Sequence, residues 1–192
     1  MTSAQLILAS ASPRRSELLG QIGITHQIHV VAIDETPLPQ ESPQQYVERV
    51  AAEKSAACQQ VLQTGLPVLS ADTSVICDGQ IIGKPRDLEH AVSILSSLSG
   101  RSHQVYSAVS LRGNQHWQAL SISEVRFKTL QYADIVAYWH TGEPCDKAGA
   151  YAVQGLASTF IESISGSFSG IMGLPLFETA QLLAKQGIKV IA

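Results

Sequence analysis

No stretch of the 192-residue chain approaches the roughly 20 consecutive apolar residues that cross a bilayer, and its first residues lack the basic-then-apolar order of a secretory signal. Both absences predict a soluble, cytoplasmic protein with no membrane partner. Cysteine is scarce: Cys58, Cys77 and Cys145 are odd in number and widely spaced, so neither a disulfide framework nor a paired zinc spacing is supported. They read as ordinary buried or half-buried thiols. A strong excess of charge is missing too. Thirteen Lys and Arg stand against 16 Asp and Glu, a formal net charge of −3, which argues against a general grip on nucleic acid and requires any positive site to be local. Trp117, Tyr138 and Trp139 then read as core or lobe-interface residues rather than stacking platforms. No internal repeat, low-complexity tract or linker occurs, so residues 1–192 read as one domain.

What is present alternates between strand and helix patterns. "QLILAS" (5–10) reads as a short buried strand feeding a helix that starts near Pro13, with Ser12 as its N-cap, and ends by Gly20 or Gly23. "HQIHVVAI" (26–33) reads as a second strand, and the acidic, proline-bearing "DETPLPQE" after it as a loop. Ser42, Pro43 and Gln45 form a capping-box start for a long helix, with Tyr46, Val50, Ala57 and Val61 on one apolar side. "LPVLSADTSVICDGQII" predicts a strand, an Asp78-Gly79 turn and a short return strand. Asp87 caps a helix over 88–98 closed by Gly100, and a long hairpin turns at Gly113 and Asn114. A helix near Asp134–His140, a strand over 158–165 and a helix in "LPLFETAQLLAKQG" complete the chain. Helices interspersed with a hairpin predict an α/β protein with a mixed sheet.

Three tempting motifs fail. "GQIIGKP" (79–85) has only three residues between its glycines and a proline where a P-loop needs Ser or Thr. "SGSFSGIMG" (165–173) has no serine flanked by glycines two residues away on both sides, as a nucleophile elbow requires. His26 and His29 fall in a strand pattern with no H-E-x-x-H, which favours hydrogen-bonded strand histidines over metal ligands.

The remaining signals converge. Arg14 and Arg15 add positive charge to a helix start that is already positive, which costs energy unless something negative binds there. With the Ser10 and Ser12 hydroxyls and the free N–H groups of the first turn, they make a phosphate-holding constellation. Asp72, in "SADTS", interrupts a β-compatible apolar run and calls for a partner. It is either a hydrogen-bonded strand-end carboxylate or one that binds a divalent cation or activates water. Lys84, in the rigid "GKPRD", and Lys54, on the long helix, are surface lysines or aimed cations. Gln154, beside Gly155 in "DKAGAYAVQG", could read a base edge.

"LASASPRRSELL", "AAEKSAA", "SADTSVICDGQIIGKPRD", "LSGRSHQVYSAV", "DKAGAYAVQG" and "GLPLFETAQLL" together resemble, almost end to end, the successive blocks of the Maf-type nucleoside triphosphate pyrophosphatases. The resemblance implies an elongated mixed β-sheet flanked by helices, with two lobes around a nucleotide cleft, as in inosine triphosphate pyrophosphatases, and a homodimer. It implies hydrolysis of a nucleoside triphosphate to monophosphate and diphosphate with a divalent metal (Mg²⁺, Mn²⁺ or Co²⁺). By position, Asp72 matches the proton acceptor, Glu35 an acidic residue that helps hold metal, and Arg14, Arg15, Lys54 and Lys84 the phosphate contacts. Arg14, Thr73 and Gln154 match the branch that acts on dTTP and UTP, where the branch acting on 7-methyl-GTP has Trp, Gln and Glu. The rival reading is a nucleotide-sensing regulator of septum formation or division without significant catalysis.

Overall fold

The computed structural model describes residues 3–63 and 65–191. Seven strands form one mixed sheet: β1 (Leu6–Leu8), β2 (His26–Ile28), β3 (Val68–Cys77), β4 (Gln80–Ile82), β5 (Ser102–Arg112), β6 (His116–Phe127) and β7 (Ile161–Ser165). The order is β2-β1-β3-β5-β6-β7, with β4 paired to β3. β1 and β2 run parallel, as do β1 and β3, while the β3 to β7 ladders are antiparallel. The helices are α1 (Pro13–Gln21), α2 (Pro43–Leu62), α3 (Leu88–Leu98), α4 (Tyr132–Trp139), α5 (Phe168–Met172) and α6 (Leu176–Lys185).

One feature of strand pairing creates the cleft. β5 covers one edge of β3 from Val68 to Ile76. On the other edge β1 pairs with Val68 and Leu69, and β4 with Val75 to Cys77. Between those partners, residues 70–74 of β3 have no strand beside them among the described residues. The sheet forks there, and the stretch holding Asp72 and Thr73 faces the gap. Alternation along β3 then divides its side chains. Ser70 points to α2, donating to the Ala51 carbonyl at 2.6 Å, whereas Leu69 and Ala71 join the core under α1 and α6. Val75 and Cys77 join a second core with Leu95, Phe127 and Tyr138. These two cores make two lobes beside the fork. Each fully buried Leu or Phe adds about 1.5–3 kcal/mol, so both sides of the gap are firmly anchored.

Local sequence rules account for most boundaries. Ser42 and Gln45 form the expected reciprocal cap of α2, and Asp87 accepts from the His90 N–H at 2.8 Å to start α3. Several expectations need correction. The second strand stops at Ile28 because its partner β1 ends at Leu8. Its last ladder bond runs from the His29 N–H to the Leu8 carbonyl. On α2 the buried stripe is Val47, Val50, Ala51, Ser55 and Cys58, while Val61 is 65% exposed. Lys54 falls on this inward stripe, by the three-and-four spacing of a helix face. Ser12 makes no side-chain cap, and its own N–H donates to Ser10 Oγ. The strand expected over 158–165 begins only at Ile161: Ser158 to Phe160 belong to a 3-10 turn, Leu156–Phe160, whose Leu156 and Ala157 N–H groups donate to the Glu143 carboxylate. The "SGSFSGIMG" stretch holds helix α5, capped by Ser167. Cys58 and Cys77 are buried, but Cys145 is exposed.

Candidate active site

The fork opens into a cleft of about 550 Å³ lined by every residue singled out from the sequence: Ser10, Arg14, Arg15, Glu35, Lys54, Asp72, Thr73, Lys84 and Gln154. They arrive from distant segments. Ser10 and the arginines come from the β1–α1 turn, Glu35 from the loop before α2, Lys54 from α2, and Asp72 and Thr73 from the open edge of β3.

Asp72 has the partner its sequence context demanded. Lys54 Nζ donates to Asp72 Oδ1 at 3.0 Å and to Glu35 Oε2 at 3.0 Å. Asp72 is 7% exposed, while the Glu35 side chain is about half exposed. Both carboxylates therefore face one another across a single ammonium. Such an arrangement concentrates negative charge at one point of the cleft and compensates it with one positive group.

Arg14 and Arg15 line the same cleft. Arg15 Nε donates to the Gly173 carbonyl at 2.8 Å, and its Nη1 to Ser10 Oγ at 3.1 Å. Burial lowers the Arg15 pKa from its ordinary value, and the Asp72 charge opposes that shift. Gly173 has φ +127, a conformation open to glycine, and this turn delivers its carbonyl to Arg15. Arg14 has no hydrogen-bond partner among the described residues. Its charge helps hold Asp146 below the ordinary carboxylate range, after the larger effect of the hydrogen bond from Lys147. Lys84 and Gln154 line the cleft without hydrogen-bond partners among the described residues.

Four contributors escaped the sequence reading. Tyr46, which the pattern placed on the apolar side of α2, is half-buried, and its hydroxyl donates to the Glu35 carbonyl at 3.0 Å. Desolvation first, then the Asp72 and Glu35 charges, pushes its phenol up to about 12. Arg49 grips the loop carrying Glu35: it donates to Glu41 at 2.6 and 2.9 Å, to Glu53 at 3.0 Å and to the Thr36 carbonyl at 3.1 Å. Lys147 lines the cleft and pairs with Asp146. Ser107, the buried cross-strand neighbour of Thr73 on β5, has its hydroxyl 2.8 Å from that of Thr73. Lys147 alone had a visible signal, a lysine inside the small-residue "DKAGAY" stretch. The other three depend on partners far away in sequence.

Of the three rejected motifs, Lys84 of the first and Gly173 of the second line the cleft, whereas the His26 and His29 pair lies outside it. His26 bonds Ser16 and the Ile24 carbonyl as a strand histidine. Among the described residues no group of three or more His, Cys, Asp or Glu could hold a metal ion, and no helix is long and apolar enough to cross a membrane. Tyr138 is buried and Trp139 packs against the second core.

Residues 5–186 match the family model for Maf-like proteins. The chain belongs to the Maf family. Among its Maf relatives, the dTTP/UTP pyrophosphatase of Methylococcus capsulatus is 55% identical over 185 residues, covering 96% of this chain and 92% of that protein. The dTTP/UTP pyrophosphatase of Nitrosomonas europaea is 51% identical over 198 residues, covering 96% of each. Among solved structures, the Ham1 protein of Staphylococcus aureus is 15% identical at a TM-score of 0.49, covering 66% of this Maf chain and 73% of its own.

Proposed function

We propose that this Maf protein hydrolyses dTTP and UTP to the monophosphate and diphosphate. The observation that carries the reading is the pair of carboxylates bridged by Lys54 in the cleft that Arg14 and Arg15 also line. Relatives at 51–55% identity that bear the name dTTP/UTP pyrophosphatase support the substrate assignment. A binding-only regulator draws no comparable support.

A triphosphate needs its charge neutralised before water can reach phosphorus, and the leaving diphosphate needs cations that strengthen as charge builds on it. Arg14, Arg15 and Lys84 are the groups we assign to the phosphates, with Ser10 donating beside them. Arg15 is preorganised by its two protein bonds, so little reordering is required when the anion arrives. Asp72 is the group we assign to water. Its ionised carboxylate accepts the proton, and Lys54 keeps it oriented.

The residues fit a divalent cation. Mg²⁺ is usually held by one or two carboxylates together with substrate phosphates rather than by an all-protein cage. Two carboxylates converging on one ammonium, with no third His, Cys, Asp or Glu grouped with them among the described residues, match that donor set. Glu35 and Asp72 would hold the ion. When bound it supplies Lewis-acid polarisation of phosphoryl oxygen and a more acidic water. A flat pyrimidine ring suits the apolar floor of Val75, Val105 and Tyr151, with Thr73 and Gln154 at its edge. A cytoplasmic setting and a homodimer accompany the reading as expectations of the family resemblance.

The test is purified protein incubated with a panel of nucleoside triphosphates and Mg²⁺, Mn²⁺ or Co²⁺, scoring diphosphate against orthophosphate. Diphosphate from dTTP and UTP is expected. Orthophosphate as the first product, or binding without turnover, would overturn the proposal.

A further inference from the structure

Asp72 and Glu35 are the carboxylates that fit a divalent cation, and one cation already stands between them. Lys54 Nζ lies 3.0 Å from Asp72 Oδ1 and 3.0 Å from Glu35 Oε2, and among the described residues neither carboxylate has another ion-pair partner. The two contacts are unequal. Lys54 and Asp72 have side chains only 13% and 10% exposed, and Lys54 stands mid-way along α2 beside Ser55, which is buried at that helix's packed face. The Glu35 side chain is 49% exposed and comes from a loop. Glu35 is thus the partner that Lys54 can release.

An ammonium and a divalent ion are drawn to the same two carboxylates and repel each other, and in a cleft that water screens poorly this repulsion is strong. Their coordination chemistry differs as well. Mg²⁺ and Mn²⁺ take oxygen ligands, whereas an ammonium carries three donors and no acceptor, so Lys54 neutralises the pair without adding a ligand to it. Three donors also let Lys54 keep Asp72 Oδ1 while one N–H moves from Glu35 to another acceptor.

We propose that Lys54 is a placeholder for the divalent cation: in the nucleotide-free protein it occupies the carboxylate pair and keeps metal affinity low, and a bound triphosphate releases Glu35 by offering the ammonium a phosphate oxygen instead. The exchange is balanced in charge, since the ammonium trades one carboxylate for one phosphate oxygen and the freed carboxylate passes to the cation. Metal and nucleotide then raise each other's affinity by the same factor. This inference rests on the proposed metal-assisted hydrolysis of a nucleoside triphosphate.

The experiment measures the binding of Mn²⁺ alone to nucleotide-free protein, from the electron paramagnetic resonance signal of free Mn²⁺, with folding checked by circular dichroism. Wild type, Lys54→Met and the double variant Lys54→Met/Glu35→Gln are compared. Lys54→Met is expected to bind Mn²⁺ about tenfold or more tighter than wild type, because a competing unit charge is gone. Its dTTP turnover is expected to fall in the same preparation. A lysine that merely supports the cleft would lose both together. Adding Glu35→Gln is expected to cancel the gain. Equal or weaker Mn²⁺ binding by Lys54→Met overturns the inference, as does a gain that survives Glu35→Gln, which would put the ion elsewhere. Should Lys54→Met fail to fold, Lys54→Gln keeps a hydrogen-bond donor without the charge and is read by the same two outcomes. Wild type that releases no diphosphate from any nucleoside triphosphate overturns the functional reading instead, and the Mn²⁺ comparison does not depend on that assay.

Discussion

The Lys54 ammonium touches the Asp72 carboxylate at 3.0 Å while holding Glu35 at the same distance, so one cation joins two acidic groups from separate segments. Removing it leaves two negative groups facing each other at the centre of the cleft, where charge is costly to leave uncompensated. Lys54→Met is therefore expected to lower dTTP turnover by about 100-fold or more, with the fold retained. Lys54→Arg is expected to recover only part of this, because a planar fork cannot replace a compact point charge between two carboxylates. Steady-state kinetics on the two variants check both statements.

Arg49 acts at one remove. Its bonds to Glu41, Glu53 and the Thr36 carbonyl tie the loop bearing Glu35 onto α2, with Tyr46 adding a second tether at the Glu35 carbonyl. Side chains that orient a metal-holding carboxylate typically change metal affinity by 10–100-fold. Arg49→Ala is expected to raise the Mg²⁺ concentration for half-maximal activity about tenfold, with a smaller effect on turnover at saturating Mg²⁺. An unchanged Mg²⁺ titration would detach Arg49 from the site.

Much of the cleft was legible in the sequence, and the exceptions have a common cause. Asp72 stood out because a carboxylate in an apolar strand needs a partner, and the paired arginines because a helix start should repel them. Capping at Ser42 and Asp87 is local, so α2 and α3 begin where the residues say. The failures depend on distant contacts: β2 ends where β1 stops offering hydrogen bonds, and residues 158–160 of the expected strand curl because Glu143 holds the start of their turn. Which face of α2 is buried depends on where the sheet lies, so Lys54 could not be aimed from spacing alone. Ser107 and Arg49 are ordinary residues until their partners are known.

His103 gives the protein an acid-labile core. It is 3% exposed, its Nε2 lies 2.8 Å from the Tyr151 hydroxyl, and Nδ1 has no partner. Burial, aided by the Arg101 charge, pushes its pKa down to about 4 from 6.5. The folded state thus binds a proton less readily than the unfolded chain. Stability contributed by neutral His103 is present above pH 6.5 and lost as pH falls through 4, on the order of 3 kcal/mol. Denaturant melts of wild type and His103→Gln at pH 7 and pH 4.5 are expected to show the larger acid loss in wild type. Parallel losses would contradict the assignment.

Two glycines separate backbone strain from crowding. Gly142 (φ +77) has nothing within 4 Å of a would-be Cβ, whereas at Gly149 (φ +69) that carbon would lie 2.8 Å from Val75 Cγ2. Gly142→Ala is expected to cost about 1 kcal/mol from the left-handed backbone alone, and Gly149→Ala a further 1–3 kcal/mol from overpacking against Val75. Thermal denaturation of both variants reads the difference, and equal costs would contradict it.

The central claim is that the Asp72 carboxylate, held by Lys54 in the cleft that Arg14 and Arg15 line, carries the hydrolysis of pyrimidine triphosphates. Diphosphate release from dTTP by Asp72→Asn, in protein shown to be folded and to bind nucleotide, tests it most directly. A fall in turnover of about 1,000-fold or more is expected. Turnover within a few-fold of wild type would contradict the account.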